Sequence, residues 1–320
     1  MKNVNPGIGN FISGRNFAVN DLVCPTGWEN LFFIPGDVLV YGVGELNKSI
    51  KSRIMKGLLE IDADYIIIDL GGGANFTVVD FFLISNSGLI VTTPQSTAVM
   101  NAYSFLKNTV FRFLQRAFAS NKEIASYLKN LLKERLPGER RTVTEMIADI
   151  TKIDPEAGEK AEAFLEVLQP KLILNKVRGL DDVGLAEGLR DLSSQNLSIS
   201  LECLGTVMND GMVDKSINLQ RPFILDGPDE IITEEIHRIS QKIIQSSHFP
   251  EMPLELDYYS DSFELAQIEI ENDLASLEGE MEEQESGGYD VDKLLELIRI
   301  QQTKIQELQG TLRLLSFNQA

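Results

Sequence analysis

An aspartate at the end of an apolar run is the first residue of this sequence that could do chemistry. In DADYIIIDLGGGANF, residues 62–76, four apolar residues run into Asp69 and three glycines follow at 71–73. In a parallel sheet, a buried strand of this kind brings a carboxylate to the carboxyl edge, where such folds bind ligands. A carboxylate there usually serves a metal-bound phosphate. The sequence therefore leads us to look for a phosphate-binding loop before it.

No such loop is found. The pattern G-x-x-x-x-G-K-[ST] does not occur, and neither does the dipeptide Gly-Lys. The stretch NPGIGNFISG, residues 5–14, contains glycines but no lysine, and Ile12 stands where a dinucleotide-binding fingerprint needs glycine. We interpret it as a loop and the start of a short helix.

Other catalytic classes find little support. The only histidines are His237 and His248, and the only cysteines, Cys24 and Cys203, form no CxxC pair or Cys/His cluster. Neither G-x-S-x-G nor H-E-x-x-H occurs. These absences disfavour zinc sites and nucleophilic hydrolases, and the cysteine usage favours a reducing cytoplasm.

The net charge of −19 is unevenly distributed. Residues 251–290 hold 14 Asp or Glu and no Lys or Arg, so the remainder is only mildly acidic, at −19 + 14 = −5. Such a run is typical of a solvated linker, and the charge predicts no direct nucleic-acid partner. The N-terminus has no signal-peptide pattern, and no apolar run approaches the length of a transmembrane helix.

Apolar β-rich runs alternate with helical patterns along the chain. The predicted strands are 30–36, 64–70, 88–94, 171–177 and 204–210, and the predicted helices are 46–60, 97–118, 121–135, 156–168, 181–195 and 229–246. Nearly continuous apolar strands separated by helices predict a parallel sheet covered on both faces.

Four blocks of sequence carry a resemblance to a known family. They are ENLFFIPGD (29–37), the stretch 62–108, KLILNKVRG (171–179) and LGTVMNDGMVDKSINLQRPFI (204–224). In this order, over about residues 1–245, they resemble the MinD/ParA family of deviant-Walker P-loop ATPases. The closest resemblance is to MinD-like and FlhG-like bacterial proteins, which position division or flagellar machinery. The resemblance implies ATP and Mg²⁺ as cofactors.

The resemblance gives two residues roles at the phosphates. Asp69 would be the Walker B-type or switch II carboxylate, a catalytic residue that holds Mg²⁺ through its hydration shell. Gly73 would be the switch II glycine, whose backbone N–H senses a γ-phosphate. A hard cation prefers oxygen ligands, and glycine lets the backbone approach closely.

Four further residues would surround the base. The resemblance places Asn175 against the adenine, with Lys176 and Arg178 nearby. Asp210 would lie in the loop that covers the base, although Met208 stands where the family usually has proline.

The front of the family pattern is missing from the match. The family opens with a strand leading to KGGxGK[ST], and a second strand carries an aspartate that activates water. Without the phosphate-binding lysines, the chain alone is not expected to hydrolyse ATP. Three explanations stay open: a fragment of an ordinary MinD/ParA-like ATPase, a truncated paralogue that pairs with a full-length relative, or an unrelated α/β interaction module acting through its acidic tail and C-terminal coiled coil.

The predicted fold class is α/β, a largely parallel doubly wound sheet with flanking helices, P-loop NTPase-like and truncated at its N-terminus. The α/β domain would span residues 1–248, lack the first strand and phosphate loop, and contain a helical insertion at about 105–168. An acidic linker (249–290) and a C-terminal helix (291–317) would follow. Loss of the phosphate-loop strand should leave neighbouring strands unpaired and apolar surface uncovered.

The last segment has a heptad pattern. Leu294, Ile298, Gln301, Ile305, Leu308, Leu312 and Leu315 follow spacings of four and three. This predicts a coiled coil through which the chain binds itself, a full-length relative or another protein. An amphipathic membrane helix and a helix docked on its own domain stay open as alternatives, so we expect a cytoplasmic protein or one peripheral to the inner membrane.

Overall fold

The structure is a computed structural model that describes residues 6–13, 18–36, 46–85, 88–133, 142–245, 266–267 and 269–274. The chain divides into two compact units, 1–267 and 268–320, and of the second only residues 269–274, which are helical, are described. The predicted C-terminal helix at 291–317 lies outside the described residues.

The described α-helices of the first unit are α1 Ile8–Ile12, α2 Lys48–Leu59, α3 Phe76–Phe82, α4 Ser96–Ala117, α5 Lys122–Lys133, α6 Val143–Ile153, α7 Pro155–Val167, α8 Val183–Leu197, α9 Gly211–Leu219, α10 Phe223–Asp226 and α11 Ile231–Ile244.

Three parallel strands form the centre of the first unit. The described strands of this sheet are β3 Leu89–Thr92, β4 Lys171–Val177 and β5 Glu202–Met208, in the order β3–β4–β5. The sequence predicts each of them, and the prediction of a parallel sheet with flanking helices is confirmed at this level. The strands β4 and β5 are buried along most of their length, as expected for parallel strands covered on both faces.

The strand β3 is covered on one face only. Ile90 and Thr92 are buried, whereas Leu89 and Val91 are 45% and 60% exposed. One edge of β3 pairs with β4, and the opposite edge pairs with no strand among the described residues. The sheet therefore has an apolar edge that the described part of the chain leaves open.

The predicted strand at 64–70 is wrong for the described structure. These residues form no strand, and Tyr65, Ile66, Ile67 and Ile68 are 58%, 43%, 91% and 37% exposed. A strand needs a neighbouring edge that accepts its backbone hydrogen bonds, and no described segment provides one. The apolar pattern of the sequence does not reveal whether such a neighbouring edge is available.

The predicted strand at 30–36 is also corrected. Only Phe32–Phe33 is a strand (β2), and it pairs antiparallel with Cys24–Pro25 (β1) in a separate two-stranded sheet. Both phenylalanines are about 60% exposed, at 62% and 60%. A hairpin this short offers few ladder hydrogen bonds, so the run LFFIP does not enter the parallel sheet.

The six predicted helices all exist, as α2, α4, α5, α7, α8 and α11, and the short helix predicted to start within residues 5–14 is α1. The helices α3, α6, α9 and α10 and two short 3₁₀ helices, Val19–Leu22 and Leu180–Asp182, are additional. The start of α6 is a capping box, in which Thr142 accepts from the Glu145 N–H and Glu145 accepts from the Thr142 N–H. No described helix is long and apolar enough to cross a lipid bilayer.

Two hydrophobic clusters pack the first and the last elements of the first unit. Phe11, Val19, Leu22 and Ile54 join α1, the first 3₁₀ helix and α2. Leu204, Val207, Ile232 and Ile239 join β5 to α11. Between them, α4 packs on α8 through buried residues spaced three or four apart, including Val99, Leu106 and Val110.

Candidate functional site

The carboxyl ends of β4 and β5 bring polar residues together. Val177 is the register partner of Met208, and the Asn209 N–H donates to the Val177 carbonyl at 2.9 Å. Asn175, Lys176, Arg178 and Asp210 all lie within two residues of this pairing along their own segments. Open α/β sheets bind ligands at this edge, so the structure gathers the four predicted base-site residues at one such location.

A β-bulge sets the directions of Asn175 and Lys176. The β4–β5 register shifts between Asn175 and Val177, and the intervening Lys176 has a φ of 59°. The Asn175 Oδ1 accepts from the Lys176 N–H at 2.8 Å, which satisfies a donor that the ladder leaves out. Bulges reorient side chains at the rims of sheets. Here the bulge leaves the Lys176 side chain exposed at the sheet edge and Asn175 half-buried beside it.

Asp210 and Arg178 take part in the starts of two helices. The Asp210 Oδ1 accepts from the Met212 N–H at 2.7 Å and caps α9. The Arg178 N–H donates to Asp182 Oδ2 at 2.7 Å, just before α8, while the Arg178 side chain is exposed. An N-cap carboxylate contributes about 1 kcal/mol to stability, so Asp210 has a structural role whether or not a ligand is present.

The two predicted phosphate-site residues lie in a separate loop. Asp69 is exposed and makes no hydrogen bond or ion pair with a described residue. Gly73 has a φ of +125°, which disfavours any side chain, and a Cβ added there would meet no atom within 4 Å. No hydrogen bond between described residues joins this loop to the ends of β4 and β5. The assignment of Asp69 and Gly73 to the phosphates therefore stays a prediction.

The residues present fit only part of a Mg²⁺–ATP complex. Asn175, Lys176 and Arg178 offer an amide and two cations to a base and its neighbouring groups. No Gly-Lys dipeptide exists in the sequence to form a phosphate cradle. Among the described residues, no three His, Cys, Asp or Glu gather to hold a metal ion. The sequence therefore lacks a Gly-Lys phosphate cradle, while the described β4–β5 edge offers an amide and two cations.

A buried ionic cluster, which the sequence did not indicate, lies directly after the glycine loop. Asp80 of α3 is 4% exposed and pairs with Lys51 of α2 and with Arg112 of α4. The Arg112 Nε and Nη2 donate to the two Asp80 carboxylate oxygens at 2.7 and 3.0 Å. The Arg112 guanidinium also lies 5.0 Å from the centre of the Phe76 ring. One carboxylate thus fixes three helices.

The environment of Asp80 keeps it ionised. Burial alone would raise the pKa of its carboxyl group, but the hydrogen bonds and charges of Arg112 and Lys51 outweigh burial and hold that pKa below its ordinary 3.8. The only local sequence signal was a lone acid in the apolar run TVVDFF. Its partners lie 29 and 32 residues away, a separation that no local pattern reveals.

Comparison with known proteins finds similarity among solved structures. The sequence matches no protein-family model and no curated protein. Among solved structures, the chain is similar to the crystal structure of the cell division ATPase MinD from Pyrococcus furiosus, with a TM-score of 0.41 and 13% sequence identity over 75% of this chain and 76% of that chain. A similarity of this degree does not assign the chain to a family.

Proposed function

We propose that this chain is a MinD/ParA-like protein that carries the base-binding side of an ATP site and serves in positioning division, flagellar or chromosome machinery. One observation carries the proposal. Asn175, Lys176, Arg178 and Asp210, which the sequence resemblance assigns to the base, lie together at the carboxyl edge of two adjacent parallel strands. Open parallel sheets bind ligands at this edge, which supports the assignment.

The chain alone does not hydrolyse ATP in this proposal. Phosphoryl transfer depends on cations and N–H groups that hold the phosphates in place. The sequence has no Gly-Lys dipeptide, and Asp69 has no basic partner among the described residues.

The open edge of β3 supports the same proposal. Leu89 and Val91 are exposed on β3, and Tyr65 to Ile68 are exposed just before Asp69. An additional apolar strand paired with β3 would satisfy the backbone groups of its open edge. We propose that such a strand carries the phosphate loop and lies outside the described residues, in a longer chain or in a full-length relative that dimerises with this one.

Titration with a fluorescent ATP analogue tests the function. The chain alone should show no micromolar, Mg²⁺-dependent binding. A strand, phosphate loop and helix from a MinD/ParA-family ATPase, fused before residue 1, should restore it, and Asn175→Ala in the fusion should weaken it about tenfold, as expected for a lost hydrogen bond to the base.

Asn218→Ala, at an exposed position of α9, is the matched control and should leave the affinity of the fusion unchanged. Equal affinity of the fusion and its Asn175→Ala variant would contradict the assignment of the β4–β5 edge to the base. Tight Mg²⁺-dependent binding by the chain without the fused segment would show that a phosphate site exists elsewhere.

A second candidate function is a non-enzymatic interaction module. The heptad pattern over 294–315 favours it, and these residues lie outside the described structure. A peptide spanning 288–320 should gain helicity with concentration and sediment as a dimer. Helix formation only on anionic vesicles would instead support the membrane-helix alternative.

A further inference from the structure

A cavity of about 380 Å³ lies between α4 and α8. It is lined by residues of α4, α8 and the start of α6, namely Met100, Tyr103, Ser104, Lys107, Leu192, Asn196, Leu197 and Thr142. Its volume falls in the range of about 300–1,000 Å³ that is usual for small-molecule sites. None of the residues assigned above to the nucleotide lines it, so it requires an explanation of its own.

One part of the cavity is apolar and open to water. Met100 and Leu192 are 51% and 38% exposed, and Leu197 is buried beneath them. A ligand that covered Met100 and Leu192 would remove apolar surface from water, at about 25 cal/mol for each Å² buried.

The other part holds hydrogen-bond donors without acceptors. Lys107 is half-buried and makes no ion pair or hydrogen bond with a described residue, and none of the described lining residues is acidic. The half-buried Asn196 amide likewise makes no hydrogen bond with a described residue. By contrast, the Ser104 hydroxyl already donates to the Met100 carbonyl at 2.8 Å. The donors that remain are the Lys107 ammonium, the Asn196 amide NH₂ and the hydroxyl of Thr142, whose oxygen accepts from the Glu145 N–H.

We propose that this cavity binds a small organic carboxylate with an apolar chain, such as a medium-chain fatty acid. The carboxylate accepts from Lys107 and Asn196, and the chain lies on Met100, Leu192 and Leu197. A single lysine matches a single negative charge. The described lining residues include neither a second lysine or arginine nor a glycine, so these residues alone would leave part of the charge of a phosphate dianion unmatched.

The test uses octanoate and the full chain labelled with ¹³C at the methionine methyl groups. The Met100 signal, assigned with Met100→Leu, should shift saturably as octanoate is added. The Met212 signal is the internal control and should not move, because Met212 does not line the cavity. Octan-1-ol, which has the same chain but no charge, should bind at least about tenfold more weakly, equivalent to about 1.4 kcal/mol.

Lys107→Met keeps most of the apolar stem and removes the charge, so it should weaken octanoate binding about tenfold, while Lys107→Arg should largely restore it. Lys122→Met, on the exposed start of α5, is the matched control and should bind like the wild type. The proposal is overturned if the wild-type Met100 signal does not shift, if Met212 shifts equally, or if octanol binds as tightly as octanoate. The comparison of octanoate with octanol needs no substitution at Lys107, so it decides the question even if Lys107→Met does not fold.

Discussion

Two segments of this chain have almost the same apolar sequence pattern and opposite environments. KLILNKV, residues 171–177, is the central strand β4, with Leu172 and Leu174 fully buried. DYIIIDL, residues 64–70, is not a strand, and its Ile67 is 91% exposed. The difference lies in the neighbours, because β4 has β3 on one side and β5 on the other, whereas no described strand pairs with 64–70. An apolar β pattern therefore becomes a buried strand only where neighbouring strands pair with it.

The largest expected effect tests the buried side of this comparison. Leu174→Ala should lower the free energy of unfolding by about 4 kcal/mol, because a fully buried leucine leaves a cavity in a covered strand. Val91→Ala on the exposed face of β3 should change it by less than about 1 kcal/mol. Urea unfolding followed by circular dichroism measures both.

Equal losses in the two variants would contradict the comparison. Such a result would mean that the outer face of β3 is covered in solution by residues that the structure does not describe.

The next effect concerns the helices that border the exposed segment. Asp80→Asn should lower the free energy of unfolding by about 3 kcal/mol, since it leaves Lys51 and Arg112 as unpaired cations. The control is Lys152→Met, which breaks the exposed pair with Asp149 and should cost less than about 1 kcal/mol. If the two variants lose the same free energy of unfolding, the Asp80 cluster does not stabilise the packing of α2, α3 and α4.

The same cluster predicts a pH dependence. Asp80 has a pKa below 3.8 in the folded protein, so its stabilising effect is fully present above this ordinary value and is lost as the pH falls through the folded pKa. The difference in unfolding free energy between the wild type and Asp80→Asn should stay constant from about pH 7 to about pH 5 and shrink towards about pH 3. Urea unfolding over this range checks the sign, and a difference that grows on acidification would contradict it.

The sequence predicted the parts of the fold in which local pattern and neighbours agree. The strands β3, β4 and β5 and the six longer helices follow from apolar periodicity. The start of α3 is also readable in the sequence, since Asn75 caps it by accepting from the N–H groups of Thr77 and Val78, but our predicted elements include no helix there. The exposed state of 64–70 could not be predicted, because exposure depends on which other segments pair with it.

The candidate site likewise combines features that the local sequence predicts with features that depend on the tertiary fold. The end of β4 and the start of α9 follow from the sequence. The sequence could therefore predict that Asn175 and Asp210 lie at the same edge of the sheet. The bulge at Lys176 was not, because it arises from the register between two strands. The Asp80 cluster was not either, since its three members belong to three helices that only the tertiary fold brings together.

The smallest expected effect on stability tests the exposed side of the comparison. Ile67→Glu should change the free energy of unfolding by no more than about 0.5 kcal/mol, because the side chain is 91% exposed. It should, however, reduce self-association measured by sedimentation velocity, since an exposed apolar segment with unpaired backbone groups is a template for pairing with another chain. Leu219→Glu, at a 68% exposed position on the helix α9, is the matched control and should reduce association less, because its backbone is already hydrogen-bonded within the helix. A loss of several kcal/mol in Ile67→Glu would show that residues 64–70 are buried in solution, and the contrast with β4 would then disappear.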